Sequence, residues 1–170
     1  MKNITAIFMA LILLVLPLAG CGAQEAPEGL SVVATVFAPY DFARQLVGER
    51  GEVTLLLPPG SEAHSYEPTP KDIIDIQNCD LFIYVGGISD AWVADVLDSV
   101  GEGVRTVTLM DCVELLEEEH VEGMELEEEH GHDEGEAEYD EHVWTSPRNA
   151  ELICEKIAAA LCEVDPEGAE

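Results

Sequence analysis

Two histidines stand in loop contexts suited to holding a metal. His64 lies within Pro58-Pro59-Gly60-Ser61-Glu62-Ala63-His64-Ser65-Tyr66-Glu67-Pro68-Thr69-Pro70, and His142 within Glu141-His142-Val143-Trp144. Neutral imidazole is the commonest protein ligand for borderline divalent metals, at about 2.0–2.1 Å from zinc, and a closed zinc site takes about four ligands. Two histidines are therefore an incomplete set. The Pro-Pro-Gly turn on one side of His64 and the two further prolines on the other restrict the backbone, which favours a preorganised side chain. A solitary loop histidine is more often a surface residue, and Val143 and Trp144 beside His142 suit ordinary core packing. The reading rests on the pair.

Other chemistries find less support. Cys79, Cys112, Cys154 and Cys162 include no C-x-x-C pair, which argues against a thiolate zinc site or a redox motif. An exported chain permits disulfides, buried free thiols are the other reading, and no pairing follows from the spacing. A metal hydrolase would use an open zinc position and a carboxylate base, but neither H-E-x-x-H nor G-x-S-x-G occurs. The expectation is a binding protein, not an enzyme.

The elements that must position the histidines alternate along the chain. Ser31 to Phe37 is a β-branched run that fits a buried strand, and Pro39 to Val47 has helical spacing ending at Gly48. Glu52 to Leu57 is a second strand stopped by Pro58-Pro59-Gly60. Thr69 caps the next helix, with Pro70 at its first position and Asp72 completing a capping-box pattern, and Ile73, Ile74 and Ile76 give the apolar side. Leu81 to Val85 is a third strand, Gly86-Gly87 a break, Ala91 to Val100 a helix and Val104 to Leu109 a fourth strand. Ser146 then caps a helix starting at Pro147, whose apolar face is Leu152, Ile153, Ile157, Ala160, Leu161 and Val164, interrupted at Asp165-Pro166. This order predicts an α/β fold, a mainly parallel four-stranded sheet flanked by helices on both faces. Ligands of such sheets bind outside the carboxyl ends of the strands, where His64, after the second strand, and His142, after the fourth, would converge.

The ends and the charge of the chain add a compartment. Lys2 precedes the apolar run Ile4 to Leu16, too short for a membrane span of about 20 residues and suited to a signal-peptide core. It ends in Leu18-Ala19-Gly20-Cys21, which resembles the lipobox of bacterial lipoproteins, so residues 1–20 are expected to be a signal, Cys21 the lipidated first mature residue, and 21–30 a tether. The formal charge of −29 and the seven scattered Lys and Arg residues exclude nucleic acid as a partner. Fifteen of the 36 acidic residues fall between Glu114 and Glu141, with no Lys or Arg between Arg105 and Arg148. The span 111–141 reads as a solvated acidic loop carrying His120, His130 and His132.

At these motifs a resemblance becomes specific. LLLPPGSEAHSYEPTPKDI, NCDLFIYVGG and DEHVWTSPRNA resemble the N-terminal lobe of the metal-binding solute-binding proteins of zinc and manganese ABC importers, over about Ser31 to Glu170. The family implies capture of a divalent transition metal outside the cytoplasmic membrane and delivery to an ABC permease and its ATPase. His64 and His142 match the family's first two ligand positions. Glu62-Ala63 stands where the family usually has Asp-Pro, Glu141 where it has Pro, and Thr145-Ser146-Pro147 where it has Leu-Asp-Pro. Residues 31–146 would form the metal-binding lobe and 147–170 the start of a long connecting helix, with a second lobe supplying the remaining ligands beyond Glu170. Histidine- and acid-rich loops accompany zinc-preferring members, which makes His120, His130 and His132 candidate auxiliary ligands that gather cations for the main site. Imidazole tilts the expected cargo to Zn2+, with Mn2+ the second candidate. The competing readings are a surface metal buffer or adhesin-like module working through the acidic loop, and a truncated fragment without function.

Overall fold

A computed structural model of the chain describes residues 29–61, 63–101, 103–117 and 139–169. The candidate lipidation site Cys21, the signal and most of the tether, and His120, His130 and His132 lie outside the described residues. Four strands, β1 (Leu30–Ala34), β2 (Gly51–Leu55), β3 (Leu81–Tyr84) and β4 (Thr106–Thr108), form one sheet in the order β2-β1-β3-β4. All three pairings are parallel, with Val32 opposite both Val53 and Leu81 and Ile83 opposite Val107.

The helices α1 (Phe37–Val47), α2 (Pro70–Asn78), α3 (Trp92–Val100) and α4 (Pro147–Val164) fall in the gaps between strands or after the last. The period of two along β1 and β3 decides which helix covers which face. Val32, Ala34, Leu81 and Ile83 point to one side, where they pack with Ala43 and Val47 of α1 and Ile153 and Ile157 of α4. Val33 and Phe82 point to the other, against Ile76 of α2 and Val93 and Val96 of α3. The two central strands are buried on both faces, as a parallel sheet requires.

Local signals explain most boundaries. At α2 the capping box is complete: the Thr69 hydroxyl accepts from the Asp72 amide, the Asp72 carboxylate accepts from the Thr69 amide at 2.8 Å, and Pro70 opens the helix. Burial works to raise the Asp72 carboxyl, but hydrogen bonds from Thr69 and from the Tyr66 hydroxyl at 2.9 Å outweigh it and hold the group below its ordinary range. Several expected edges and one expected cap bond differ: β2, expected to run to Leu57, ends at Leu55, and α1, expected from Pro39, starts at Phe37. β1 starts at Leu30 and stops at Ala34, and the residues to Phe37 turn into α1 instead of prolonging the strand. β4 is trimmed to three residues. Ser146 does not cap α4 with its side chain; its carbonyl accepts the Ala150 amide at 2.9 Å while Pro147, which has no N–H to satisfy, starts the helix. The helix ends at Val164, where Asp165 turns to take a two-pronged ion pair with Arg50, its carboxylate accepting from Nε at 2.7 Å and from Nη2 at 2.9 Å.

Candidate metal centre

The order β2-β1-β3-β4 makes the chain reverse direction between β1 and β3, so the carboxyl ends of these two strands flank a topological switch point. Here the turn from Val85 to Asp90 leaves β3. Gly86 and Gly87 have φ of 94° and 75°, values that suit glycine, and a Cβ on Gly87 would collide with the Glu141 carboxylate. Asp90, buried at 7% exposure, folds back under the turn and accepts the Val85 amide at 2.6 Å and the Gly86 amide at 3.1 Å. Burial raises its pKa; those two amides oppose that, while the Glu141 charge adds to it.

Both histidine loops reach this turn. His64 is exposed, and its Nδ1 lies 3.1 Å from the Ser89 hydroxyl. The His142 loop reaches it through Glu141, which accepts the backbone N–H of Ile88 and, at 3.2 Å, that of Ser89. The His142 ring remains open to solvent, with 67% of its side chain exposed, and its Nδ1 lies 3.2 Å from the Asp140 carboxylate. The Asp140 carboxylate also accepts the His142 amide at 2.8 Å, and the buried Val143 anchors the loop in the core.

Such contacts have a chemical consequence. An ionised carboxylate only accepts, so in the tautomer where the His142 Nδ1–H donates to Asp140, Nε2 is the ring nitrogen left with a lone pair; the Ser89 hydroxyl lies against the same ring edge of His64. Histidines that bind metal as a rule engage their other ring nitrogen in this way. Among the described residues no group of three or more His, Cys, Asp or Glu is placed to hold a metal ion. The four cysteines among the described residues are free thiols, and burial pushes Cys79 up to about 12 and raises Cys112 and Cys154, which keeps these three protonated.

Ser89, Asp90 and Asp140 had no signal of their own in the sequence. The Gly86-Gly87 break marked the turn, but only the fold shows that both loops meet there.

The model of the family described as zinc-uptake complex component A, periplasmic, matches residues 32–170. The chain belongs to the ZnuA family. Over 152 residues it is 37% identical to the high-affinity zinc uptake system protein ZnuA of Bacillus subtilis, covering 87% of this chain and 46% of that protein. The zinc-binding lipoprotein AdcA of Streptococcus pneumoniae is 35% identical over 176 residues, covering 100% of this chain and 34% of AdcA. The chain thus spans less than half the length of these relatives. Among solved structures, the metal-dependent lipoprotein YcdH of Bacillus subtilis superposes with a TM-score of 0.66 at 34% identity, over 82% of this chain and 46% of that one. Zn(II)-bound AdcA gives a TM-score of 0.66 at 30% identity, over 83% of this chain and 27% of AdcA. The four-stranded parallel sheet with helices on both faces is the fold these family members share with the chain.

Proposed function

We propose that the chain is the N-terminal half of an extracytoplasmic protein that captures a divalent transition metal, zinc first and manganese second, for an ABC importer. His64 and His142 supply two of the ligands through Nε2, and the rest come from a second lobe. Lipidated Cys21 holds the protein at the membrane face, within reach of the permease and its ATPase. The observation that carries this reading is the engaged Nδ1 of both rings on loops that meet at one turn. Support comes from the relatives: AdcA is named a zinc-binding lipoprotein, and a structural neighbour from Candidatus Liberibacter asiaticus, 26% identical with a TM-score of 0.64, is described as Mn-bound.

The test is a Zn2+ titration followed by residue-resolved NMR of the imidazoles, which separates His64 and His142 from the three histidines of the acidic segment. Both rings should respond with one apparent Kd, and H64A and H142A should each weaken the response of the other ring by roughly tenfold or more. Unchanged zinc affinity at His64 in H142A would overturn the shared site.

A further inference from the structure

The two histidine loops come from different parts of the chain, one after β2 and one after β4 and the acidic segment. A shared metal requires their spacing to be fixed to within a fraction of an ångström, yet no hydrogen bond joins one loop directly to the other among the described residues. One side chain spans the gap. We propose that Glu141 is a positioning residue for the metal site, a staple whose carboxylate locks the His142 loop onto the turn that orients His64; the proposal rests on the reading of both histidines as ligands.

The geometry is continuous. Glu141 Oε1 accepts the N–H groups of Ile88 and Ser89, the latter at 3.2 Å, and Oε2 lies 3.3 Å from the same Ser89 amide. Ser89 in turn contacts the His64 ring through its hydroxyl at 3.1 Å. From the His142 backbone through Glu141 and Ser89 to the His64 imidazole, every link is a covalent or a hydrogen bond. The amides belong to the start of the short 3-10 turn Ile88–Asp90, whose N–H groups have no partner within the turn, so the carboxylate satisfies donors that would otherwise need water.

Both ends of the staple are themselves held. On one side Val143 is buried, and His142's carbonyl accepts the Thr145 amide at 3.0 Å and the Thr145 hydroxyl at 2.8 Å, so the residue after the ligand cannot drift. On the other, Asp90 pins the turn from below through the Val85 and Gly86 amides. Gly87 leaves the space that the carboxylate fills. The role differs from that of a ligand: the Glu141 carboxylate is occupied by backbone donors, and what it supplies is the register between two rings.

The separating experiment compares the full chain with E141A and E141Q in the same Zn2+ titration, read at the His64 and His142 rings and at the Ile88 and Ser89 amides. Glutamine keeps an oxygen that accepts both amides, whereas alanine removes it. In the wild type and E141Q the two rings should titrate together; in E141A the joint response should split into two separate ones and weaken by about tenfold, within the range usual for groups that support metal ligands. Far-UV circular dichroism and the thermal midpoint of each variant confirm that the lobe is folded. Coupled titration in E141A with the wild-type Kd overturns the proposal, as does E141Q behaving like E141A, because charge instead of hydrogen bonding would then be at work. Wild-type rings that ignore zinc overturn the site assignment instead. With no shared site to hold in register, the positioning role of Glu141 falls with it.

Discussion

Asp90 shows how a buried charge serves a neighbouring site. It sits at 7% exposure with two backbone N–H groups on its carboxylate, and it touches neither histidine. D90A leaves those donors buried without their acceptor and should cost about 2 kcal/mol in urea unfolding, since orphaned buried groups cost about 1–3 kcal/mol. D90N keeps an accepting oxygen and sheds the buried charge, so it should match or exceed the wild type at pH 7. The sign of the pH dependence follows from the raised pKa: a carboxyl that binds its proton more readily folded than unfolded stabilises the fold at low pH, and that stability is lost as pH rises through the folded pKa. Wild type should therefore gain on D90N as pH falls below 7, and parallel unfolding curves across that range check it. At this scale the sequence was partly legible. His64 and His142 stood out by context, but Ser89 and Asp90 are small polar residues in an ordinary loop, and their roles depend on which strands are neighbours.

Among the elements, α2 carries the clearest start signal, and all parts of it form: Thr69 accepts, Asp72 reciprocates, Pro70 leads. T69A should lower stability by about 1 kcal/mol, the usual cost of losing such a cap. Asp72 is the opposite case to Asp90. Its pKa is depressed, so the stability it adds is present above the unfolded carboxylate value near 3.9 and is lost as pH falls through the folded value. The gap between wild type and D72A should accordingly narrow below about pH 4, measured by the same unfolding curves. Strand and helix identity was readable because β-branched runs, capping boxes and Gly stops coincide. Edges were less so: Val36 and Phe37 look like strand residues, yet Phe37 begins α1 and is 64% exposed, because tertiary packing ends the strand at Ala34. Ser146 likewise takes the N-cap position, but its side chain makes no capping hydrogen bond.

For the molecule as a whole, the parallel sheet with helices on both faces follows from the alternation of elements, and with it the edge that both histidine loops reach. What the order could not supply was the partnership across the gap, since Glu141 and Ile88 are 53 residues apart. The acidic segment is tied at its base: Glu117 pairs with Tyr139, and the Asp140 amide donates to the Leu116 carbonyl at 3.0 Å. Replacing residues 118–138 with a short Gly-Ser turn should leave the thermal midpoint unchanged or raised, because closing a shorter loop costs less entropy. It should also leave the coupled zinc response of His64 and His142 intact. A lowered midpoint in calorimetry would show that the segment contributes to the packing of the lobe.

The sheet order has one more consequence. β2 and β4, which lead into the two histidine loops, are the edge strands with a single neighbour each, while β1 and β3 fill the buried centre. Edges open more readily than centres, so amide exchange should be faster along β2 and β4 than along β1 and β3. The His64 loop, which follows β2 within ten residues, therefore hangs from a margin that can loosen while the buried centre of the sheet stays closed.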